Sequence, residues 1–205
     1  MHNKIFSIIS EMQAIAQNGL TYGKDKYDLE RYNRLMEITS NLASIVSGNE
    51  LTEIFNIFSA DIGYRTPKVD VRAAIFESNK ILLVQEEDDL LWSLPGGWAD
   101  INLSMAENAE KEALEESGII CKAIKLVGVY DNNKLNQNFK WPHVYKMIFR
   151  CKFLEGIPKN GVETVNAAFF DENNLPPLSP ERITTSEIQR CFYDYKNPEC
   201  PSYFE

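Results

Sequence analysis

Apolar positions change period near residue 68, and that change divides the chain. Before it, spacing follows the α-helix, in which positions three and four apart share a face. Ile5, Ile8, Ile9, Met12 and Ala16 form one stripe, broken between Gly19 and Gly23. Tyr32, Leu35, Met36, Thr39, Leu42, Ala43 and Val46 form a second, ending near Gly48, and Leu51, Ile54, Phe55 and Phe58 a shorter third. These predict three helices in a small all-helical domain over residues 1–62. About 60 residues bury too little surface for comfortable stability alone. The helices are therefore expected to dock on the rest of the chain or on a second copy.

Residues 61–68, with Gly63 and Pro67, read as a connector. Beyond it, VDVRAAIF (69–76) and KILLVQEE (80–87) read as strands joined by a turn at Ser78-Asn79. Trp92-Ser93-Leu94 leads into a glycine turn, Pro95-Gly96-Gly97, and then a helix. Strands are predicted over 123–131, 143–154 and 166–171, with a polar loop at 132–140 and a helix ending the 180–195 region. Strands alternating with helices in this order imply an α/β sandwich with a mixed sheet over residues 66–205.

The helix after the glycine turn carries the candidate chemistry. Ser104 followed by Glu107 forms a capping box, and Gly118 suits a left-handed C-terminal cap. Ala106, Ala109 and Ala113 leave a small-residue face for packing. Glu112, Glu115 and Glu116 fall together at helical spacing, where like charges repel. A hard divalent cation with oxygen ligands would turn that cost into binding.

These residues resemble the Nudix hydrolase signature, G-x5-E-x7-R-E-U-x-E-E-x-G-U, where U is bulky aliphatic. Gly97, Glu112, Glu115, Glu116, Gly118 and Ile119 match, while Leu103 replaces the first Glu, Lys111 the Arg and Ala113 an aliphatic. The resemblance implies a Nudix α/β/α sandwich that uses Mg²⁺, with Mn²⁺ as a substitute, to cleave a pyrophosphate bond. It implies metal ligation by Glu112, Glu115, Glu116 and the Gly97 carbonyl, and a further metal-binding or base glutamate at Glu163. In the family the first Glu and the Arg mainly brace the loop. If packing replaces that brace, Leu103 should be partly buried against the loop. The first 60 residues are similar to the helical N-terminal domain of a Gram-positive bacterial subgroup that includes CDP-choline pyrophosphatases. Its members are also catalogued as ADP-ribose pyrophosphatases.

Outside the signature, Arg72 shares a strand face with Asp70 and Ala74. It suits either a phosphate clamp or a structural ion pair. Arg72, Trp98 and Lys111 are the candidates to contact the bound nucleotide. Trp98, Tyr130, Trp141 and His143 could stack a base or cage a quaternary ammonium group, or simply pack.

Composition narrows the partners. The 205 residues carry net charge −9, so no basic surface invites nucleic acid or anionic membrane. RNA ends are thus disfavoured as a substrate. Four cysteines without a CxxC pair, and two histidines, argue against zinc and fit reduced thiols in a cytoplasmic protein. No N-terminal apolar run is long enough for a signal or a membrane span. The family resemblance implies a nucleoside diphosphate linked to a small group as substrate. The subgroup resemblance favours CDP-choline, giving CMP and phosphocholine, over ADP-ribose, and a homodimer is expected. A Nudix domain that binds a nucleotide without cleaving it is the alternative from a different class, but such a binder need not keep three repelling acids.

Overall fold

A computed structural model describes residues 2–135 and 141–204, in two compact units. The first comprises Met1–Lys68 with Asn132–His143, the second Val69–Asp131 with Val144–Glu205.

In the first unit three helices follow the apolar stripes: α1 (His2–Tyr22), α2 (Lys26–Ser47) and α3 (Leu51–Ser59). The Asp25 side chain accepts from the Tyr27 and Asp28 N–H groups to start α2, and left-handed Gly48 ends it. Ile9, Ala16, Met36, Ala43, Ile54 and Phe58 make the core. Trp141 joins them, its ring edge-on to Phe6 and Phe58 at 5.2 and 5.3 Å, its Nε1–H donating to Ser10. The segment 132–143 thus belongs to the helical unit rather than to the sheet unit that flanks it in sequence. Part of it forms a short helix, α5 (Asn132–Leu135), and residues 136–140 of the expected polar loop lie outside the described residues.

The buried face of α1 is rotated from the expected stripe. Phe6, Ile9, Gln13, Ala16 and Gln17 are buried, whereas Ile8 is 47% exposed. Two glutamines occupy core positions that a purely apolar reading passes over. The Gln17 amide donates to the Gly63 carbonyl at 3.1 Å and ties the connector to α1. Neither polar atom of the Gln13 amide has a hydrogen-bond partner.

The second unit is a three-layer α/β/α sandwich. Its sheet runs β3 (Trp92–Ser93), β2 (Lys80–Glu86), β1 (Lys68–Glu77), β6 (Val144–Glu155), β5 (Ile120–Asp131), β8 (Tyr203–Phe204). Two more strands sit off that path, β4 (Gly96–Trp98) on β1 and β7 (Thr164–Phe170) on β2. The β1–β2 hairpin closes on Ser78 and Asn79 with φ of 50° and 63°, the paired positive values that match strand twist. The sheet is mixed: β8 runs parallel to β5, whereas β1–β2, β1–β4, β2–β3, β2–β7 and β5–β6 are antiparallel. Helix α4 (Met105–Ser117) lays Ala109 and Ala113 on Ala73, Ile75, Leu82, Ile119, Cys121 and Cys151. Its small face lets it approach the sheet closely enough to set the acids at the sheet end. Helix α6 (Thr185–Lys196) packs Phe192 edge-on to Phe76 at 5.2 Å. It also places Glu187 against Lys146 at 2.9 Å, both side chains 1% exposed. All four cysteines are free.

A buried amide without partners costs free energy that an apolar side chain of similar shape does not. Gln13→Met is therefore expected to stabilise the chain by about 1–3 kcal/mol in urea unfolding. Loss of stability would show that Gln13 is satisfied in solution.

Candidate metal and pyrophosphate site

Strand β4 and helix α4 build the site together. β4 lies antiparallel on β1, with Gly96 opposite Arg72 and Gly97 opposite Val71. Gly96 has φ 148°, and a Cβ there would collide with the Val71 carbonyl oxygen and lie 2.8 Å from the Arg72 Cα. Only glycine fits so tight a strand contact. The same residue donates its N–H to the Glu116 carboxylate at 2.9 Å. At Gly97 a Cβ would lie 3.4 Å from Glu112 Oε2, so the backbone runs directly beside that carboxylate. Gly97 is thereby brought beside Glu112 and Glu116 of the helix that follows it.

Burial governs the electrostatics. Glu116 is 8% exposed, and loss of solvent pushes its carboxyl up to about 8, with the Gly96 N–H and Arg72 acting in the opposite direction. Glu86 and Glu112 add to the rise. Glu112 is raised too, again by burial first. Glu115 is exposed and takes the Lys111 ammonium at 2.6 Å. Lys111 also reaches Glu112 Oε1 and Asp100 Oδ2, each at 3.3 Å. These contacts, led by Glu115, hold its ammonium above the ordinary lysine range. Among the described residues no three His, Cys, Asp or Glu side chains stand together as a ready cation cage. Gly96 holds one of the acids and Lys111 the other two.

The loop before α4 is braced differently from the sequence expectation. Leu103, expected to be partly buried against the loop, is 37% exposed, and the hydrogen bonds that hold the loop come from another side chain. Asn108, fully buried, does the bracing: its Oδ1 accepts from the Asp100 N–H at 2.7 Å, and its amide donates to the Ser104 carbonyl at 3.1 Å. It also reaches the Asp100 and Leu103 carbonyls at 3.3 and 3.4 Å. An asparagine in a helix interior was the available signal, since its side chain competes for local backbone groups.

Arg72 is buried and committed to Asp70, with Nε 3.1 Å from Oδ1, and to the Leu94 carbonyl through Nη1 at 3.1 Å. The ion-pair reading of that residue therefore describes it, and it supports the glycine strand from below. Glu163 is exposed, but its loop packs on the end of α4. Thr164 Oγ1 donates to the Glu116 carbonyl at 2.7 Å, and a Cβ on Gly161 would lie 2.8 Å from the Glu116 Cα. Of the aromatics, Trp98 is 57% exposed beside Gly97. Tyr130 is buried and stacked on Tyr203 at 5.1 Å, Trp141 is in the helical core, and His143 is half-buried. Sequence reading also missed Glu86, buried at the end of β2. It accepts from Ser93 Oγ at 2.5 Å and pairs with Arg182 at 3.2 Å.

Comparison with known proteins fits this geometry. Residues 66–190 match the NUDIX domain, and residues 3–58 match a domain described as UDP-X-like, N-terminal oligomerisation. The chain belongs to the Nudix family. The YjhB protein of Bacillus subtilis, provisionally named an ADP-ribose pyrophosphatase, is 42% identical over 95% of this chain and 93% of its own. A Streptococcus suis structure titled an ADP-ribose pyrophosphatase is 40% identical, covering 68% of this chain and all of its own, with TM-score 0.63. A structure titled UDP-X diphosphatase is 31% identical over 100% of this chain and 99% of its own, also with TM-score 0.63. This Nudix chain is accordingly an enzyme, a hydrolase of phosphate anhydrides, of a family that works with divalent metal ions. Carboxylate and backbone carbonyl oxygens are the hard donors such an ion takes. No described helix is long and apolar enough to cross a membrane.

The raised carboxyl of Glu116 makes a prediction with a definite sign. A group whose folded pKa exceeds its unfolded value gives stability that is complete below the unfolded pKa and is lost as pH rises to the folded one. The metal-free protein should thus lose stability between about pH 4.5 and pH 8. Glu116→Gln should flatten that slope, fold normally and turn over severely less. Equal slopes in thermal melts of the two proteins would contradict the burial of Glu116.

Proposed function

We propose that the chain is an Mg²⁺-dependent pyrophosphatase of nucleoside diphosphate-linked small molecules, with ADP-ribose as its leading substrate. The observation that carries this reading is the placement of the Gly97 backbone beside Glu112, with Glu116 bound to the neighbouring Gly96 N–H. Glu112, Glu115, Glu116 and the Gly97 carbonyl would hold the metal, with Mn²⁺ able to substitute. When bound, the ion neutralises pyrophosphate charge and lowers the pKa of a water to near neutrality. The chain's own residues then orient the reaction. Glu163, on the loop packed at the end of α4, is the candidate to take a proton from the attacking water. Trp98, exposed next to Gly97, offers a face for a base. Arg72 keeps the β4 glycines in place through Leu94.

The choice of substrate turns on the aromatics and the relatives. Capturing the quaternary ammonium of CDP-choline calls for several ring faces around one point. Tyr130 and Trp141 commit their rings to cores, which removes two of the four aromatics that could have formed such a cage. The names carried by the Bacillus and Streptococcus relatives support ADP-ribose. Hydrolysis at RNA ends has the net charge of −9 against it.

The helical unit supports self-association. Ile8, Ile15 and Tyr22, seven residues apart along α1, are 47%, 51% and 64% exposed. Such a stripe on a unit that matches an oligomerisation domain fits a two-fold dimer.

A release assay with Mg²⁺ tests the function. ADP-ribose, CDP-choline, a UDP-sugar, nucleoside triphosphates and a short triphosphorylated RNA would be offered in parallel. The expected result is AMP and ribose phosphate from ADP-ribose at the highest kcat/KM, from a sample that sediments as a dimer. Cleavage of another compound alone would overturn the substrate, and binding without cleavage the enzyme reading.

A further inference from the structure

Lys111 departs from the signature together with Leu103, and the structure shows where the displaced pairing has gone. The signature pairs a cation at this position with an acid six residues after the glycine. Leu103 offers no acceptor there, and Lys111 turns instead to Glu115 at 2.6 Å and to Glu112 at 3.3 Å. Its third partner, Asp100 at 3.3 Å, lies in the loop that Asn108 braces. The ammonium thus stands on two of the carboxylates assigned to the metal and on one outside that set.

We propose that Lys111 is a built-in competitor of the divalent cation, holding Glu112 and Glu115 in the metal-free enzyme and withdrawing toward Asp100 as metal enters. This rests on the metal assignment made above. The ammonium occupies one oxygen of each carboxylate, Glu115 Oε2 at 2.6 Å and Glu112 Oε1 at 3.3 Å, and sets a positive charge beside both, so an entering cation meets fewer free lone pairs and a like charge. Two cations in the same cluster also repel, so one must move. Asp100, on the loop side of Lys111, supplies the place to go. Competition lowers metal affinity relative to a bare acidic face and keeps the acids from repelling one another when no metal is present. A chain with the family pairing of Arg and Glu would hold its cation away from the ligands and lack this restraint.

The test is direct binding of Mn²⁺ to the metal-free protein, read by paramagnetic resonance of free Mn²⁺ or by calorimetry, with near-ultraviolet circular dichroism as the fold control. Lys111→Met should bind about three- to fivefold more tightly, the scale of a partly exposed ion pair. Asp100→Asn, which leaves the ammonium only the ligand carboxylates, should bind about two- to threefold more weakly. Lys122→Met removes a charge paired with Glu110 near the same helix and should change affinity little, which separates direct competition from general field effects. Weaker binding in Lys111→Met would make Lys111 a brace of the ligands and overturn the proposal. An equal gain in Lys122→Met would overturn it as well. Absence of Mn²⁺ binding in the unaltered protein would instead remove the metal assignment, and the proposal with it.

Discussion

The hydrogen bond from the Gly96 N–H to Glu116 joins the two halves of the site. Gly96 can sit there only because β4 presses on β1 closely enough to exclude any side chain. Glu116 can reach it only because the alanine face of α4 lies flat on the sheet. A carboxylate held this way is largely removed from water. It is positioned by a backbone donor that no side-chain substitution can delete. Everything assigned to the chemistry, from the Gly97 backbone to the neighbouring Glu112, takes its place from this junction.

The surrounding charges show how the fold carries buried acids. Arg72 lies beneath the junction, paired with Asp70 and bonded to the Leu94 carbonyl one residue before Pro95. Glu86 grips Ser93 and is in turn held by Arg182, which also reaches Asp88 and Asp89 at 2.8 and 3.5 Å. The strand that leads into the glycines is therefore fastened at Ser93 and at Leu94. Buried ionic groups cost desolvation and repay it only when well partnered, and breaking one partner is strongly destabilising. These pairs therefore specify the position of the strand more than they add net stability. On the solvent side, Lys111 restrains the remaining acids.

Much of this arrangement was legible in the chain. The Ser104–Glu107 box and Gly118 delimit α4 at the expected residues, because caps are local and need no tertiary information. Ser78-Asn79 marked the β1–β2 turn for the same reason. What resisted reading depended on distant partners. Whether Leu103 or Asn108 braces the loop is decided by which side chain points inward, and helical spacing alone does not rank a leucine below an asparagine for burial. Trp141 looked like a site aromatic because it follows a polar loop, yet the chain returns it to the helical core. Strand β8 has two residues, Tyr203 and Phe204, and exists only through its pairing with β5. The rotation of the α1 face puts Gln13 and Gln17 in the core and leaves Ile8 exposed, which an apolar pattern alone does not reveal.

The central claim is that one divalent cation site spans the glycine strand and the acidic helix. Crystals grown with Mn²⁺ and measured at its absorption edge test this most directly. The account predicts an anomalous peak bound by the Gly97 carbonyl together with Glu112 and Glu116. A peak elsewhere, with those three groups unliganded at saturating Mn²⁺, would contradict it.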